Sequence, residues 1–348
     1  MPKPVVIDSH IHLWPKETAN ETGHAWMTPG MPLAKPHLLS DYYKASGQGY
    51  NEDVDTRVNG VVYVETDVRY GTHHDDVATF AKGPLDEIAF LRRVVEGAYD
   101  ERDRDMLLGI VLWVPMDRPP SVLQEYLRLA ELQAGKKAWA RTKGFRFLLQ
   151  SIHEQDSFAR LVLSDDFISN LKELGKRGFS FDVGVDQRSG GIWQLELVAQ
   201  AMQLAHQDVA EDEKVIFVIN HLCKPNLPGE RIEFEAWCKT VSTMADCGKT
   251  FIKLSGAFSE LPPGLREIDN IVIHLRPWVA HVLKCFGPRR IMFGSDWPVC
   301  NLNGPRKQDS WAAWKDVVKL LLDDEEHGLS EVGKDRIWQG TARDAYRL

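Results

Sequence analysis

His10 and His12 stand one residue apart at the end of an apolar run, VVIDSHI, that begins at Val5. Residues two apart on a strand point the same way, so the two imidazoles can meet at one place. Neutral imidazole is a common metal ligand and a common proton acceptor, which suits metal or substrate binding. The competing reading is two ordinary histidines hydrogen-bonded at a strand end. Polar residues also fall late in other apolar runs: Glu65 in GVVYVET, Arg146 in KGFRFLL, Asp182 in FSFDVGV, His221 just after KVIFVIN, Lys253 in FIKLSGA and Asp296 in RIMFGSD. Burying so many polar groups is costly unless they pair, hold a metal or line a wet pocket. Together they mark a site.

Each of these residues also has a plainer use. His221 suits a satisfied core histidine, and Asp296 suits the cap of a turn leading into Pro298. Glu65 can pair with an arginine such as Arg69. Asp182, Arg146 and Lys253 read as an internal charge network or as substrate contacts. His24 and Trp26 in the loop GHAWMTPG, and His73 and His74 in GTHHDD, are loop residues within reach of a substrate. Cys223 and Cys300 fall near the site, but no histidine is readable beside either to activate a thiol, so neither is expected to be a nucleophile.

The elements that must position these groups are legible from short β-branched runs. There are eight, and the starts at Leu107, Lys143, Phe179, Val215 and Phe251 differ by 36 residues each time, the length of a strand, a helix and two loops. Segments with helical apolar spacing lie between them, such as LDEIAFLRRVVEGAY, DDFISNLKELGKRG and WQLELVAQAMQLAH. Gly178, Gly248 and Gly287 follow three of these segments and suit the left-handed end of a helix. Nearly continuous apolar strands alternating with helices imply a parallel sheet with its outer face covered. Eight such units predict an α/β fold, a (β/α)8 barrel over residues 1–348 as one domain, with catalytic groups at the C-terminal strand ends. An open doubly wound sheet is the rival, yet the phosphate-binding patterns GxGxxG and GxxxxGK are absent. Residues 15–57 form a long connection rich in Pro and Gly, the kind that is usually a functional lid or a disordered segment.

The chain has 348 residues and a formal net charge of −8, without a long basic run. That argues against nucleic acid and anionic membrane as partners, and for a small molecule. Five cysteines without CxxC spacing suggest neither a disulfide framework nor a cysteine zinc site. No signal-peptide pattern and no apolar span of membrane length is seen, so a cytoplasmic protein is expected. Whether it forms a homo-oligomer is left open by the sequence.

Four stretches, IDSHIH at 7–12, FVINHLCKP at 217–225, IKLSG at 252–256 and FGSDWPV at 293–299, resemble the amidohydrolase superfamily. The similarity is to the branch that holds 2-pyrone-4,6-dicarboxylate lactonase and the sugar lactonases, and it runs to the closing GTARDAYRL. It implies a (β/α)8 fold and hydrolysis at a carbonyl. It also implies that His10 and His12 hold a metal or polarise the substrate, that His221 joins them, and that Asp296 handles the proton of the attacking water. Strands four and five lack the bridging lysine or carboxylate and the histidine of binuclear members, so two bridged metals are not expected. One divalent ion, Zn2+ first, is expected on His10, His12, Glu65 and Asp296, with metal-independent catalysis as the alternative. Thr341 follows Gly340 where an asparagine is typical of the family.

Opening a lactone needs a base for the attacking water and a positive or donating group for the carbonyl oxygen. Asp296 and His221 are the catalytic candidates. Trp26, His74, Arg146, Asp182, Lys224 and Lys253 are the candidates for holding substrate, and a sugar-acid lactone is the favoured one. A metal-dependent decarboxylase of the same superfamily is the second reading. A barrel that binds a ligand without turnover is the third.

Overall fold

The computed structural model describes residues 4–48, 56–71, 76–262 and 264–348. Eight strands, all parallel, follow one another around a single sheet: β1 Val5–Ile11, β2 Arg57–Val64, β3 Leu107–Trp113, β4 Thr142–Arg146, β5 Ser180–Val183, β6 Ile216–Ile219, β7 Thr250–Leu254 and β8 Ile291–Phe293. The sheet then nearly closes on itself. Just past β8, the Asp296 N–H donates to the His10 carbonyl at 2.9 Å and the His12 N–H donates to the Trp297 carbonyl at 2.8 Å. The expected barrel is therefore present, with every strand where an apolar run predicts one.

The packing has two layers. Ile7, Val62, Val64, Val111, Val218 and Met292 fill the barrel interior, and Tyr346 from the closing helix Thr341–Tyr346 joins them. A larger cluster lies between the strands and the surrounding helices, with Phe145, Phe181 and Phe217 packed in the same layer as Leu171, Met202 and Trp237. Strict alternation would send Ile7 and Ile11 to one face, yet Ile11 packs in the outer cluster. The β1–β2 register is irregular between Asp8 and Ile11. Such a bulge re-aims side chains, and here it lets His10 and His12 face inward.

The helix before β4 runs over Pro120–Arg141, with Gly135 at φ 63° breaking its geometry. Gly178 and Gly287 end their helices at φ 77° and 62° as expected, but after Asp246 the left-handed residue is Lys249 and not Gly248. The described part of the long connection after β1, residues 15–48, is packed. It contains the helix Leu39–Ala45 with Tyr42 and Tyr43 buried, and Trp14, Met27 and Leu33 form a small apolar cluster of their own. Among the described residues no helix is long and apolar enough to cross a membrane.

Asp8 ties the seam from outside the barrel. Its Oδ1 accepts from the Ser295 N–H at 2.8 Å, and its Oδ2 accepts from the Tyr42 hydroxyl and the Trp311 indole at 2.9 Å each. Burial raises its pKa, and these donors offset part of that rise. Each orphaned buried donor costs about 1–3 kcal/mol. Asp8→Ala should therefore destabilise the fold by about 3 kcal/mol or more, read as a lowered denaturation midpoint. A loss under about 1 kcal/mol would contradict the role of this carboxylate.

Candidate active site

The C-terminal strand ends gather the predicted polar residues around one cavity of about 340 Å³, a size typical of small-molecule sites. His12, Arg146, His221, Lys224 and Asp296 line it. Trp26 joins them from the first loop, its indole N–H donating to the Thr66 carbonyl at 3.0 Å. His24 lies beneath, its Nε2 2.9 Å from the Thr66 hydroxyl. Trp14, Met31, Leu33 and Leu302 supply an apolar wall.

Asp296 sits at the centre of the polar wall. Its Oδ1 lies 3.4 Å from His12 Nε2, 3.8 Å from His10 Nε2 and 3.8 Å from His221 Nε2, and the two Nε2 atoms of His10 and His12 are 3.2 Å apart. Tautomers follow from the outer partners. His12 Nδ1 lies 2.8 Å from the Val64 carbonyl, which can only accept, so Nδ1 carries a proton. Burial, reinforced by Lys253, pushes the His10 pKa well down. Burial likewise brings His221 to about 3 against the pull of Asp296. Burial alone would raise the Asp296 carboxyl. The facing His221 and His12 and the Lys224 ammonium outweigh it and hold Asp296 below the ordinary carboxylate value.

This donor set fits a divalent ion. His10, His12 and Asp296 are buried and place one ligand atom each within 4.8 Å of one another. Two imidazole nitrogens and one carboxylate oxygen match a zinc site that keeps a position open. The Val64 carbonyl accepts from the His12 ring, as an outer partner of a zinc ligand does, and Lys253 Nζ lies 3.1 Å from His10 Nδ1.

Other predicted residues are placed differently. Glu65 does not join the His10–His12–Asp296 group: its Oε1 accepts from Arg146 Nε at 2.5 Å and its Oε2 from the Asp67 N–H at 2.6 Å. With both oxygens engaged by protein donors, its placement is that of an ion-pair partner and not of a ligand. Lys253 and Asp182 pair at 2.7 Å, both fully buried, and neither lines the cavity. They lie under the site, with the Tyr346 hydroxyl donating to Asp182 at 2.9 Å. His73 and His74 lie outside the described residues.

Several lining residues escaped the sequence reading, among them Thr66, Asp67, Gln150 and Ser259. Asp67 follows Glu65 by two and holds a left-handed φ of 54°. Burial and the Glu65 charge raise its pKa to about 6. Asp296 is left-handed as well, at φ 60°, and so is the whole run His221–Lys224. Non-glycine residues at positive φ are uncommon and gather at functional sites. Gly256 gives His221 its room, since a Cβ there would lie 2.5 Å from the ring Nδ1. The motif IKLSG carried that signal.

The amidohydrolase family profile matches residues 7–348. The chain belongs to the amidohydrolase family. It is similar to a curated L-rhamnono-gamma-lactonase of Scheffersomyces stipitis, 27% identical over 366 aligned residues covering all of both chains. An L-fucono-1,5-lactonase of Burkholderia multivorans is 28% identical over 349 residues, covering 98% of this chain and 96% of that one. A solved amidohydrolase of Burkholderia multivorans with bound zinc superposes with a TM-score of 0.73 at 25% identity, covering 99% of each chain.

Behind the amidohydrolase cavity, Glu87 accepts from the Tyr63 hydroxyl and from both the N–H and hydroxyl of Thr66. Burial, with the Glu65 charge, raises its pKa from 4.5 to about 7. A carboxyl raised on folding contributes stability that is full below about pH 4.5 and lost as pH rises through about 7. Glu87→Gln should therefore flatten the pH dependence, gaining about 3 kcal/mol over wild type at pH 8 and almost nothing at pH 4. Denaturation midpoints across that range check it. Parallel wild-type and variant curves would refute the burial of a titrating Glu87.

Proposed function

We propose that this chain hydrolyses a sugar-acid lactone, L-rhamnono-γ-lactone or a related aldonolactone, to the free acid. The convergence of His10, His12 and Asp296 at the wall of a small-molecule cavity carries the reading, and the activities named for the two lactonase relatives support it. Water attacking the lactone carbonyl must lose a proton, and the Asp296 carboxylate is placed to take it. Negative charge then grows on the carbonyl oxygen, and donors on the cavity wall offset it. Arg146 and Lys224 are the cations there. The new C–O bond from water replaces the ring C–O bond, Asp296 returns its proton to the leaving alkoxide, and no covalent enzyme intermediate is required.

Zinc is the ion proposed for His10, His12 and Asp296. When bound, a divalent ion would polarise the carbonyl and lower the pKa of its water. Without one, His221 and the wall cations carry the electrophilic role alone. We also place the protein in the cytoplasm, where reducing conditions suit its five free cysteines.

Acid release from a panel of aldonolactones, with and without chelator, tests the reading. Release that chelation abolishes and zinc restores is expected. Release that survives chelation would remove the metal from the proposal, while carbon dioxide from a carboxylated substrate and no acid from any lactone would favour a decarboxylase. Asp296→Asn should lower kcat by about 10²–10⁴ with the fold intact by circular dichroism. Its zinc content, measured in parallel, separates lost proton transfer from lost metal, and a kcat within tenfold of wild type would overturn the assignment of the base.

A further inference from the structure

The two cations that line the cavity are already paired. Lys224 Nζ lies 3.2 Å from Asp186 Oδ2 and 3.4 Å from Glu260 Oε1, both buried carboxylates. Glu260 also accepts from Arg188 Nη1 at 3.3 Å. Arg146 directs Nε to the Glu65 carboxylate at 2.5 Å and Nη2 to the Glu65 carbonyl at 2.6 Å. Asp67 and Asp296 add their own carboxylates to the lining. Among the described residues, counting the lining groups together with the side chains paired to them, the protein itself supplies five carboxylates and three cations, before the charge of any ion on His10, His12 and Asp296 is added.

Among the described lining residues, a substrate carboxylate entering here would find no unpaired ammonium or guanidinium. It would instead be desolvated beside carboxylates, and like charges brought together away from water cost several kcal/mol. A neutral polyol meets the opposite situation. Its hydroxyls donate to carboxylate oxygens, its ring carbons meet the faces of Trp14 and Trp26, and no charge has to be stripped of water.

We infer that this site admits uncharged hydroxylated lactones and excludes lactones that carry a carboxylate, with Lys224, Asp186 and Glu260 as the specificity-determining cluster. The inference rests on the lactonase reading above and narrows its substrate class.

A matched pair of substrates tests this on the full-length protein. The pair is an aldono-1,4-lactone, in the configuration the enzyme turns over best, and the aldaro-1,4-lactone of the same configuration, which differs only in carboxylate for CH2OH at C6. At pH 7 the neutral member should have a kcat/KM about 100-fold higher or more. The aldaro-lactone should not inhibit turnover of its partner at ten times the partner's KM. Glu260→Gln leaves Lys224 with a single carboxylate and should narrow the ratio about tenfold, chiefly by raising kcat/KM for the anionic member. Asp186→Asn should act in the same direction and serves if the first variant does not fold. Equal wild-type turnover of the two lactones, or competitive inhibition by the anionic one with a Ki near that KM, would overturn the inference. So would folded variants with an unchanged ratio. Acid release from neither member would instead overturn the lactonase reading itself, and this inference with it.

Discussion

The seam where the first strand meets the segment past the last one is the constraint on which the site depends. Two backbone hydrogen bonds, Asp296 N–H to the His10 carbonyl and His12 N–H to the Trp297 carbonyl, bring the β1 and β8 ends of the sheet together. They also set how far the Asp296 carboxylate stands from the two imidazoles. Asp8 repeats the link with its side chain, joining residues 287 apart in the chain. Closure of the barrel and assembly of the donor set are therefore one event. A chain that failed to close here would have neither a buried interior nor a metal-competent group.

The rim holds backbone that a relaxed chain would avoid. Asp67, the run from His221 to Lys224, and Asp296 are all left-handed, at about 1–3 kcal/mol each for a non-glycine residue. The surroundings over-determine them. The Trp237 indole donates to the Leu222 carbonyl at 2.8 Å, and the Gln187 and Arg188 amides donate to the carbonyls of Cys223 and Lys224. Gly256 clears the space the His221 ring needs. Held this way, His221 and Lys224 leave β6 at fixed angles into the cavity, and the protein does not have to order them when substrate arrives.

What could be read from the sequence follows from which signals are local. Strand positions were legible because buried parallel strands must be apolar runs, and the regular spacing exposed the repeating unit. His10, His12, His221 and Asp296 were legible because polar residues at the ends of such runs need a reason. The roles of Glu65, Asp182 and Lys253 were not, since a charged residue late in a strand has the same local pattern whether it meets substrate or a partner below it. Arg146 lies on β4 and Glu65 just past β2, 81 residues apart in the chain, and only closure of the barrel shows that they pair. Asp67, Asp186 and Glu260 sit in loops, where no periodicity separates a functional carboxylate from a solvated one.

The buried pair beneath the site explains why so much charge is tolerated in the core. Lys253 and Asp182 are fully buried, and an ion pair taken from water rarely gains stability over apolar residues of similar size. Its value lies in direction. The Tyr346 hydroxyl donates to both oxygens of Asp182, Asp182 holds the Lys253 amine at 2.7 Å, and that amine lies 3.1 Å from His10 Nδ1. A chain of contacts thus runs from the C-terminal helix, through the floor of the barrel, to the back of the His10 imidazole. A leucine in place of Lys253 would pack, but it would leave Asp182 without its cation and the His10 ring free to turn about its last bond. Three ligand atoms within 4.8 Å of one another require that ring to stay where it is. The energetic penalty in the core is thereby tied to the geometry at the rim.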